Sequence, residues 1–354
     1  MRFLQGKEKT SRKLGRLIDE VIIEENDLLP YCEGDDLASK AKGLLLQQQS
    51  SWELLRNGYS NFQTAETRDF DFDGFVVRVQ FNPGRFASSS AKVDENSIKK
   101  RKCFLCPHNL PREQRGLLYS DKYLILCNPF PIFPEHFTIS SLAHTPQRIL
   151  KSFETFLSLS KELQKYYTVL YNGPKCGASA PDHMHFQAGN KYFMPIEKEY
   201  EAVRDSLGER IVAGEKLRVH SVERYLRKFI SFESSDLEAL VRGFEVFYLS
   251  LQERSADGGE PMMNIIASFS EDRWRVVLFP RAKHRPSFFF EEGEKRILIS
   301  PAAVDLGGVC ITPLERDFKK ITQEKIIEMF SEVSLSAEAF GRLKNSLEKG
   351  LASI

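Results

Sequence analysis

Hydrophobic positions along this chain repeat with a helical period near the N-terminus and with a strand period further on. Residues 7–57 place apolar side chains such as Leu14 and Ile18 at the spacing of one helix face, and a second apolar run follows over residues 44–55. This pattern predicts an N-terminal helical segment, residues 1–65.

Alternation of apolar and polar residues predicts the next elements. One strand is predicted over Phe70–Phe81, where Asn82-Pro83-Gly84 stops it. The polar, lysine-rich residues 88–101 are predicted to form a loop, because they offer little to bury. Two further strands, at 123–127 and 136–140, are predicted to pair across a proline-rich turn.

The rest of the chain is predicted to mix helices with strands. A helix is predicted from about Pro146 to Tyr166, because proline fits the first helical turn. The remaining predicted elements are strands at 168–171 and 183–187, a helix at 236–254, β-segments at 263–267, 274–279 and 288–290, and a helix at 337–352. The two β-rich regions suggest a weak internal duplication.

Composition and charge exclude several classes of partner. The 354 residues carry 50 lysines and arginines against 49 aspartates and glutamates, so no overall field favours nucleic acid or an anionic membrane. The N-terminus lacks the apolar stretch of a secretory signal, and no later segment is apolar enough to span a bilayer. We therefore expect a cytoplasmic protein that binds neither nucleic acid nor membranes.

Six scattered cysteines do not form a dense disulfide framework in a chain of this length. Four of them are expected to be ordinary thiols: Cys32, Cys127, Cys176 and Cys310. Cys103 and Cys106 have Cys-x-x-Cys spacing, and two thiolates with two imidazoles make a common zinc set. His144 and His183 are our candidates for the imidazoles, and four protein ligands would make the zinc structural. A redox pair and two reduced thiols in a turn are the alternatives.

The most informative motif is His183-Met184-His185-Phe186-Gln187. In an extended segment, His183, His185 and Gln187 would project from one face. A neutral imidazole can attack phosphorus and hold a nucleotidyl group covalently, and His185 is our candidate nucleophile. Gln187 is predicted to hydrogen-bond the phosphoryl oxygens, and His183 to orient the neighbouring ring or bind a metal. The alternative is a polar sheet face without chemistry.

Two other stretches could handle phosphate. Gly177-Ala178-Ser179 would bring backbone N–H groups close to an anion, and the Ser179 hydroxyl is a candidate catalytic group. Residues 279–286 form a basic cluster in which Arg281 and Lys283 could meet phosphate oxygens. A solvated basic loop is the alternative for this cluster.

The sequence around the histidines resembles a known family. Asp182-His183-Met184-His185-Phe186-Gln187-Ala188 is similar to the nucleotidylation motif of GDP-hexose phosphorylases such as GDP-L-galactose phosphorylase. These enzymes belong to the galactose-1-phosphate uridylyltransferase branch of the histidine triad superfamily. Further similar segments are Val79–Arg85, Pro134–His136, Pro146–Ile149, Tyr171-Asn172, Phe279–Arg281 and Ser300–Gly308. The resemblance covers roughly residues 70 to 335.

The resemblance implies a fold. It is a duplicated histidine-triad-like (uridylyltransferase-like) α+β fold, with antiparallel sheets and outer helices. Residues 66–205 would form the catalytic half, and residues 206–354 the second half with its C-terminal helix. The residues similar to the structural zinc ligands of the uridylyltransferases are Cys103, Cys106, His144 and His183. The plant phosphorylases lack the cysteine pair, which leaves the substrate open.

The resemblance also implies an activity. An NDP-sugar, expected to be a GDP-hexose, would be cleaved with phosphate through a nucleotidyl-His185 intermediate, giving a nucleoside diphosphate and a hexose 1-phosphate. The expected substrate-binding residues are Asn82, Arg85, Asn172, Gly177, Ala178, Arg281 and Lys283. Alternatives are an ATP adenylyltransferase (diadenosine tetraphosphate phosphorylase), a hexose-1-phosphate uridylyltransferase and a non-catalytic nucleotide-sugar-binding module. We expect zinc, no organic cofactor and a homodimer.

Overall fold

The computed structural model describes residues 19–86, 90, 94–214, 216–253 and 258–352. The helices are α1 (Glu25–Leu28), α2 (Leu37–Ser51), α3 (Glu53–Phe62), α4 (Glu95–Lys100), α5 (Phe153–Glu162), α6 (Pro195–Leu207), α7 (Leu237–Gln252), α8 (Ala303–Leu306), α9 (Glu315–Lys320), α10 (Gln323–Val333) and α11 (Ala337–Gly350). The strands are β1 (Glu66–Phe72), β2 (Phe75–Phe81), β3 (Gly116–Tyr119), β4 (Tyr123–Cys127), β5 (His136–Ser141), β6 (Tyr167–Asn172), β7 (His185–Asn190), β8 (Gly208–Ala213), β9 (Arg218–Val222), β10 (Phe229–Ser234), β11 (Met263–Ser270), β12 (Arg273–Pro280) and β13 (Val309–Thr312).

In the described part of the chain, ten strands form one antiparallel sheet in the order β3-β4-β5-β7-β6-β11-β12-β10-β9-β8. Counted from its outer edge, the first half has the order β3, β4, β5, β7, β6, and the second half has the order β8, β9, β10, β12, β11. In each half, the fifth strand along the chain therefore lies between the third and the fourth. Helices α5 and α7 each precede the fourth strand of their half. The predicted α+β fold is thus confirmed together with its duplication. The two halves join where β6 pairs with β11, with Asn172 opposite Asn264.

Alternate side chains of the large sheet enter two separate hydrophobic cores, because successive residues of a strand point to opposite faces. Val276 and Leu278 share the first core with apolar side chains of α2, α3, α5, α7 and α11. Val277 and Phe279 share the second core with α6, α8, α9, α10 and a smaller sheet. That sheet has the order β1-β2-β13 among the described strands, with β13 parallel to β2.

The N-terminal helical prediction is confirmed for α1, α2 and α3. It was wrong at Ile22, which forms an isolated β-bridge with Gly116, and Leu14 and Ile18 lie outside the described residues. Helix α2 begins after Asp36, whose carboxylate accepts a hydrogen bond from the Ser39 N–H at 2.9 Å and so caps the helix. Trp52 has extended backbone angles and separates α2 from α3. The break lets the Trp52 side chain turn into the core.

The single strand predicted over Phe70–Phe81 was wrong, because this segment is a hairpin. Strands β1 and β2 pair antiparallel across Asp73-Gly74, and Gly74 has a φ of +85° that favours glycine. The Asp-Gly pair was a hairpin signal within the predicted strand.

Two further local predictions were wrong. The predicted loop 88–101 contains α4, which Asp94 caps through the Ser97 N–H at 3.0 Å; residues 87–89 and 91–93 lie outside the described residues. The predicted β-segment 288–290 is a short 3₁₀ turn, Ser287–Phe289. In both places the residue types were compatible with more than one local structure, and short segments carry a weak periodic signal.

The helix predicted from Pro146 begins at Phe153, after a 3₁₀ turn at Leu150–Ser152. The residues before this turn lie beside the strand that begins at His185. There the Gln147 side chain forms hydrogen bonds with the His185 backbone. The predicted strands at 123–127, 136–140, 168–171, 263–267 and 274–279 and the helices at 236–254 and 337–352 are confirmed to within three residues at each end. Residue 254 lies outside the described part.

Among the described residues, no helix combines the length and the apolar character needed to cross a membrane. The predicted boundaries at residues 65 and 205 stay predictions; residue 205 lies in the last turn of α6.

Candidate active site and metal site

A cavity of about 480 Å³ opens beside the start of β7. Its polar wall includes Arg85, Ser179, His185 and Gln187. Its apolar wall is made by side chains from the N-terminal helices, the cysteine turn and the proline-rich turn before β5: Trp52, Leu54, Phe104, Leu105, Leu110 and Phe130. The structure thus brings the three predicted catalytic residues to one cavity, where polar groups converge beside an apolar surface.

His185 is buried and its tautomer follows from its hydrogen bonds. The ring Nδ1 lies 2.8 Å from the carbonyl oxygen of His183, which can accept and cannot donate, so Nδ1 carries the proton. The Nε2 lone pair is therefore free for chemistry. Burial lowers the pKa of His185 to about 4. The imidazole is neutral at physiological pH, which is the nucleophilic form.

Gln147 fixes the backbone of the predicted nucleophile. Its Oε1 accepts a hydrogen bond from the His185 N–H at 2.8 Å, and its Nε2 donates to the His185 carbonyl oxygen at 2.9 Å. The same Nε2 donates to the Asn172 carbonyl oxygen at 3.0 Å. One fully buried amide thus holds the ends of β6 and β7 together where β-pairing stops.

His136 fixes the orientation of Gln187. The Ile132 N–H donates to His136 Nδ1 at 3.3 Å, so His136 Nε2 carries the proton and donates to Gln187 Oε1 at 3.1 Å. Burial and the nearby Arg85 lower the pKa of His136 to about 3, which keeps this arrangement uncharged. The Gln187 amide group is therefore left with its N–H donors for a ligand. Donors of this kind suit phosphoryl oxygens.

The connection between β6 and β7, residues 173–184, carries the other predicted phosphate-binding groups. Gly177 has a φ of +94°, and a Cβ there would lie 2.6 Å from the Ala302 Cβ, so the position requires glycine. Ala178 is buried beside it. Gly177 and Ser179 also line a second, smaller cavity, and Arg85, Ser179 and Gln187 line both cavities.

The other predicted substrate-binding residues are placed differently. Asn172 lines the second cavity, and its Oδ1 accepts hydrogen bonds from Asn264 Nδ2 at 2.7 Å and the Ala303 N–H at 2.8 Å. Asn82 is buried and donates to the Pro131 carbonyl oxygen at 2.9 Å.

Arg85, Arg281 and Lys283 differ in whether their positive charge lies where a ligand could meet it. Arg85 donates to the Phe130 carbonyl oxygen at 2.9 Å and lines both cavities, and desolvation lowers its pKa to about 10, which leaves it cationic at neutral pH. Arg281 is buried and donates to five protein oxygens. Lys283 is exposed and pairs with Glu332. The structure therefore places Arg85 in the site and the other two outside the cavities.

Cys103, Cys106, His144 and His183 lie close enough to hold a metal ion, with their ligand atoms all within 4.8 Å of one another. Cys103 Sγ lies 3.3 Å from His183 Nδ1, and Cys106 Sγ lies 3.3 Å from His144 Nδ1. His183 Nε2 donates to the Ser141 carbonyl oxygen at 2.7 Å, so the Nδ1 lone pair faces the thiols. This is the tautomer that a metal ligand needs.

The prediction that His183 projects from the same strand face as His185 and Gln187 was wrong. β7 begins at His185, and His183 lies in the preceding turn, where its N–H donates to the Ala180 carbonyl oxygen at 3.1 Å. The turn directs the imidazole to the cysteines, whereas His185 and Gln187 line the cavity. The metal cluster and the cavity are therefore adjacent parts of one structure.

Sequence reasoning missed the parts played by Gln147 and His136. Both lie in segments quoted for the family resemblance, Pro146–Ile149 and Pro134–His136, yet their partners are distant along the chain. Both polar side chains are buried and therefore need hydrogen-bond partners, but their burial is visible only in the structure, so that no local sequence signal marked them.

Two family models match different parts of the chain. Residues 44–190 match the family model described as "Domain of unknown function (DUF4922)", and residues 202–353 match that described as "GDPGP1-like, C-terminal domain". No curated protein matches the chain.

Solved structures of similar fold include yeast Ap4A phosphorylase Apa2. It shares 15% identity over 83% of this chain and 97% of its own length, with a TM-score of 0.57. The AMP complex of that enzyme has a TM-score of 0.54 at 17% identity, covering 83% of this chain and 98% of that chain. Its Ap4A complex has a TM-score of 0.51 at 15% identity, covering 83% and 97%. At this identity the likeness establishes the fold, and together with the C-terminal family model it confirms the resemblance seen in the sequence.

Proposed function

We propose that this chain, which combines a GDPGP1-like C-terminal domain with the fold of yeast Ap4A phosphorylase, is a nucleotidyltransferase of the phosphorylase type that acts on an NDP-sugar. The observation that carries the proposal is the neutral His185, whose Nε2 is unprotonated at a cavity that Gln187 and Arg85 also line. The proposed substrate is a GDP-hexose, in keeping with the sequence resemblance.

In the first step, His185 Nε2 attacks the α-phosphorus of the NDP-sugar. A P–N bond forms, and the bond from the α-phosphorus to the bridging oxygen breaks, so that a hexose 1-phosphate leaves with the electron pair. Nδ1 keeps its proton and goes on donating it to the His183 carbonyl oxygen, and this hydrogen bond stabilises the positive charge of the nucleotidylated ring. Splitting one displacement into two makes each step easier.

The charge that develops on the phosphoryl oxygens needs fixed donors. Gln187 offers its amide N–H groups because His136 occupies its oxygen. Arg85 adds a positive charge, which is worth more in a partly desolvated cleft than in water. In the second step, phosphate attacks the same phosphorus and restores free His185.

The apolar wall of the large cavity suits a nucleobase. Phe104, Phe130 and Leu54 are between 41% and 46% exposed, although aromatic and aliphatic side chains of this size are normally buried. All three line the cavity. A stacked base would cover them, and such aromatic contacts are worth about 0.5–1.5 kcal/mol beyond area burial.

We propose zinc as the metal of the Cys103, Cys106, His144 and His183 cluster. Tetrahedral zinc with ordinary Zn–S and Zn–N bonds separates sulfur from nitrogen by about 3.6 Å, near the S–N distances of 3.3–3.6 Å in this cluster. Four protein ligands give the ion a structural function. It would tie the turn that bears Phe104 to the turn before His185.

A diadenosine tetraphosphate phosphorylase is the second candidate. The observation that favours it is the fold of the yeast enzyme, which was solved with AMP and with Ap4A. A uridylyltransferase and a non-catalytic binding module are further outcomes of the same experiment.

The test incubates purified protein with a panel of GDP-, UDP- and ADP-sugars and Ap4A, once with phosphate and once with a hexose 1-phosphate as the acceptor, and separates the products by chromatography. We expect release of GDP and hexose 1-phosphate from a GDP-hexose. Cleavage of Ap4A alone would establish the second candidate. Release of UDP-sugar from UDP-glucose and a second hexose 1-phosphate would indicate a uridylyltransferase, and nucleotide binding without turnover a binding module.

The nucleobase wall has its own test. Phe104→Ala should raise the KM for the nucleotide substrate about two- to tenfold with little change in kcat, because it removes binding common to ground and transition states. Phe290→Ala is the matched control, since Phe290 is 70% exposed and lies outside the residues that line the cavity.

A further inference from the structure

We propose that the second cavity is the binding site for the acceptor phosphate group and that the Ser300 hydroxyl is one of its donors. This inference rests on the proposed function, because it assigns the group that removes the nucleotide from His185. Ser300 comes from the second half of the chain, so both halves would contribute to one reaction.

The position of the cavity supports this assignment. It is about 50 Å³ in volume and lies between the two halves. Arg85, Ser179 and Gln187 line both this cavity and the larger one. A phosphorus atom bonded to His185 beside these three residues would be open to attack from the second cavity.

The size of the cavity restricts its occupant. A buried water needs about 10–15 Å³ by the same measure, so the cavity has room for roughly three to five waters. A phosphate group has five heavy atoms and fits this space. A nucleoside does not, and the large apolar cavity is the place for it.

Ser300 is prepared to donate a hydrogen bond. Its Oγ accepts from Arg285 Nε at 2.9 Å, which occupies a lone pair and leaves the hydroxyl proton to be placed elsewhere. His284 Nε2 lies 3.5 Å from the same oxygen, at the limit of a hydrogen bond. A phosphate oxygen in the cavity would be a closer and charged acceptor.

Arg285 is outside the residues that line the cavity and reaches it through its hydrogen bond to Ser300. Its guanidinium lies over the Phe289 ring, 4.1 Å from the centroid, which fixes the direction of the Nε donor. The acidic side chain of the cavity, Asp305, accepts hydrogen bonds from the Ala302 and Ile311 N–H groups at 2.9 and 3.0 Å. These backbone donors stabilise the Asp305 carboxylate, and burial raises the pKa of Asp305 to about 6. Among the residues that line the cavity, Arg85 supplies positive charge for an anion.

The assigned step transfers the nucleotidyl group from His185 to the acceptor phosphate. An oxygen of the acceptor phosphate forms a bond to the phosphorus of nucleotidyl-His185, and the P–N bond breaks. The electron pair returns to His185 Nε2. The product is a nucleoside diphosphate when inorganic phosphate attacks, and an NDP-sugar when a sugar 1-phosphate attacks. Both acceptors share the phosphate group that Ser300 would bind.

The experiment separates the two half-reactions. Full-length protein is nucleotidylated with the NDP-sugar identified above, excess substrate is removed, and loss of the adduct is followed against the concentration of inorganic phosphate or hexose 1-phosphate. For Ser300→Ala, we expect the half-saturating concentration of both acceptors to rise at least about tenfold, since a hydrogen bond to a charged group is lost. The same substitution should raise the NDP-sugar concentration needed for adduct formation, because in-line attack and in-line departure both lie opposite His185, so that the leaving phosphate and the acceptor phosphate occupy the same place. Arg285→Gln should shift the acceptor dependence in the same direction.

Ser287→Ala is the control, because Ser287 belongs to the same segment but bonds Glu332. An unchanged acceptor dependence in both Ser300→Ala and Arg285→Gln, with normal adduct formation, would overturn the acceptor site alone. A shift for hexose 1-phosphate without one for inorganic phosphate would name the sugar phosphate as the acceptor bound there. Failure of the wild type to form any adduct would instead overturn the proposed function together with this inference.

Discussion

The two halves of the large sheet have the same strand order but carry different chemistry at corresponding strands. β7 presents His185 and Gln187 to the cavity while Phe186 enters the first core. On the corresponding face of β12, Val277 and Phe279 enter the second core. One half uses this face for polar groups and the other half uses it for packing.

The connections before these strands differ as well. β11 and β12 are joined by the two-residue turn Glu271-Asp272, whose φ angles of +52° and +53° suit a tight hairpin. β6 and β7 are joined by residues 173–184, which hold Gly177, Ser179 and the proposed metal ligand His183. The duplicated sheet therefore supplies the scaffold. The first half supplies His185, Gln187 and the long connection, and the second half contributes Ser300 to the wall of the second cavity.

The largest expected effect concerns the proposed nucleophile. Replacing His185 with alanine should lower kcat by at least about 10⁴-fold, because the covalent route is lost. Steady-state kinetics measures this. His220→Ala is the control, since His220 is a buried strand histidine of the second half, and it should retain activity. Equal losses in the two variants would mean that the halves do not differ as described.

Gln187→Val would give β7 an apolar side chain like those of β12. We expect kcat to fall about 10²–10³-fold, since donors to the developing charge are removed. Thermal unfolding should show a folded protein. Should kcat instead stay within about threefold of wild type, Gln187 would have no part in stabilising charge.

His136 is expected to act through Gln187, as a positioning residue. His136→Ala frees the Gln187 amide to rotate, and we expect kcat to fall about tenfold while KM changes little. The split between the two constants is the readout. A change confined to thermal stability would mean that His136 is structural.

Removal of the metal ligands should have the smallest effect on chemistry. Cys103→Ser with Cys106→Ser should reduce zinc from about one equivalent to near zero, measured by elemental analysis. The KM for nucleotide should rise about two- to fivefold, because Phe104 lies on the released turn. Cys32→Ser is the control, as Cys32 lies outside the cluster. Protein purified without chelator and free of zinc would contradict the metal assignment.

Local pattern predicted those elements whose signal is long and periodic, and it placed His185, Gln187 and Ser179 together. It could not show that Gln147 lies across the histidine strand, because that contact joins residues distant in sequence. Ser300 was equally hidden, since the second half reaches the site through the fold. The predicted functions of these side chains stay predictions.

The hairpin at Gly74 and the late start of α5 are different failures. An Asp-Gly turn was present in the predicted strand and was outweighed by the apolar alternation around it. Pro146 was compatible with a helix start, but tertiary hydrogen bonds of Gln147 keep that segment outside the helix. At this site, hydrogen bonds between residues distant in sequence determine the local structure more strongly than the helix-start preference of Pro146 does.

The central claim is that the nucleotide passes through a covalent bond to His185. The most direct measurement is intact-protein mass spectrometry after incubation with a GDP-hexose in the absence of phosphate, followed by peptide mapping at neutral pH. The account predicts one guanylyl group per chain, located on His185, that disappears when phosphate is added. An unmodified protein that still turns the substrate over with phosphate, or an adduct that persists in His185→Ala, would contradict it.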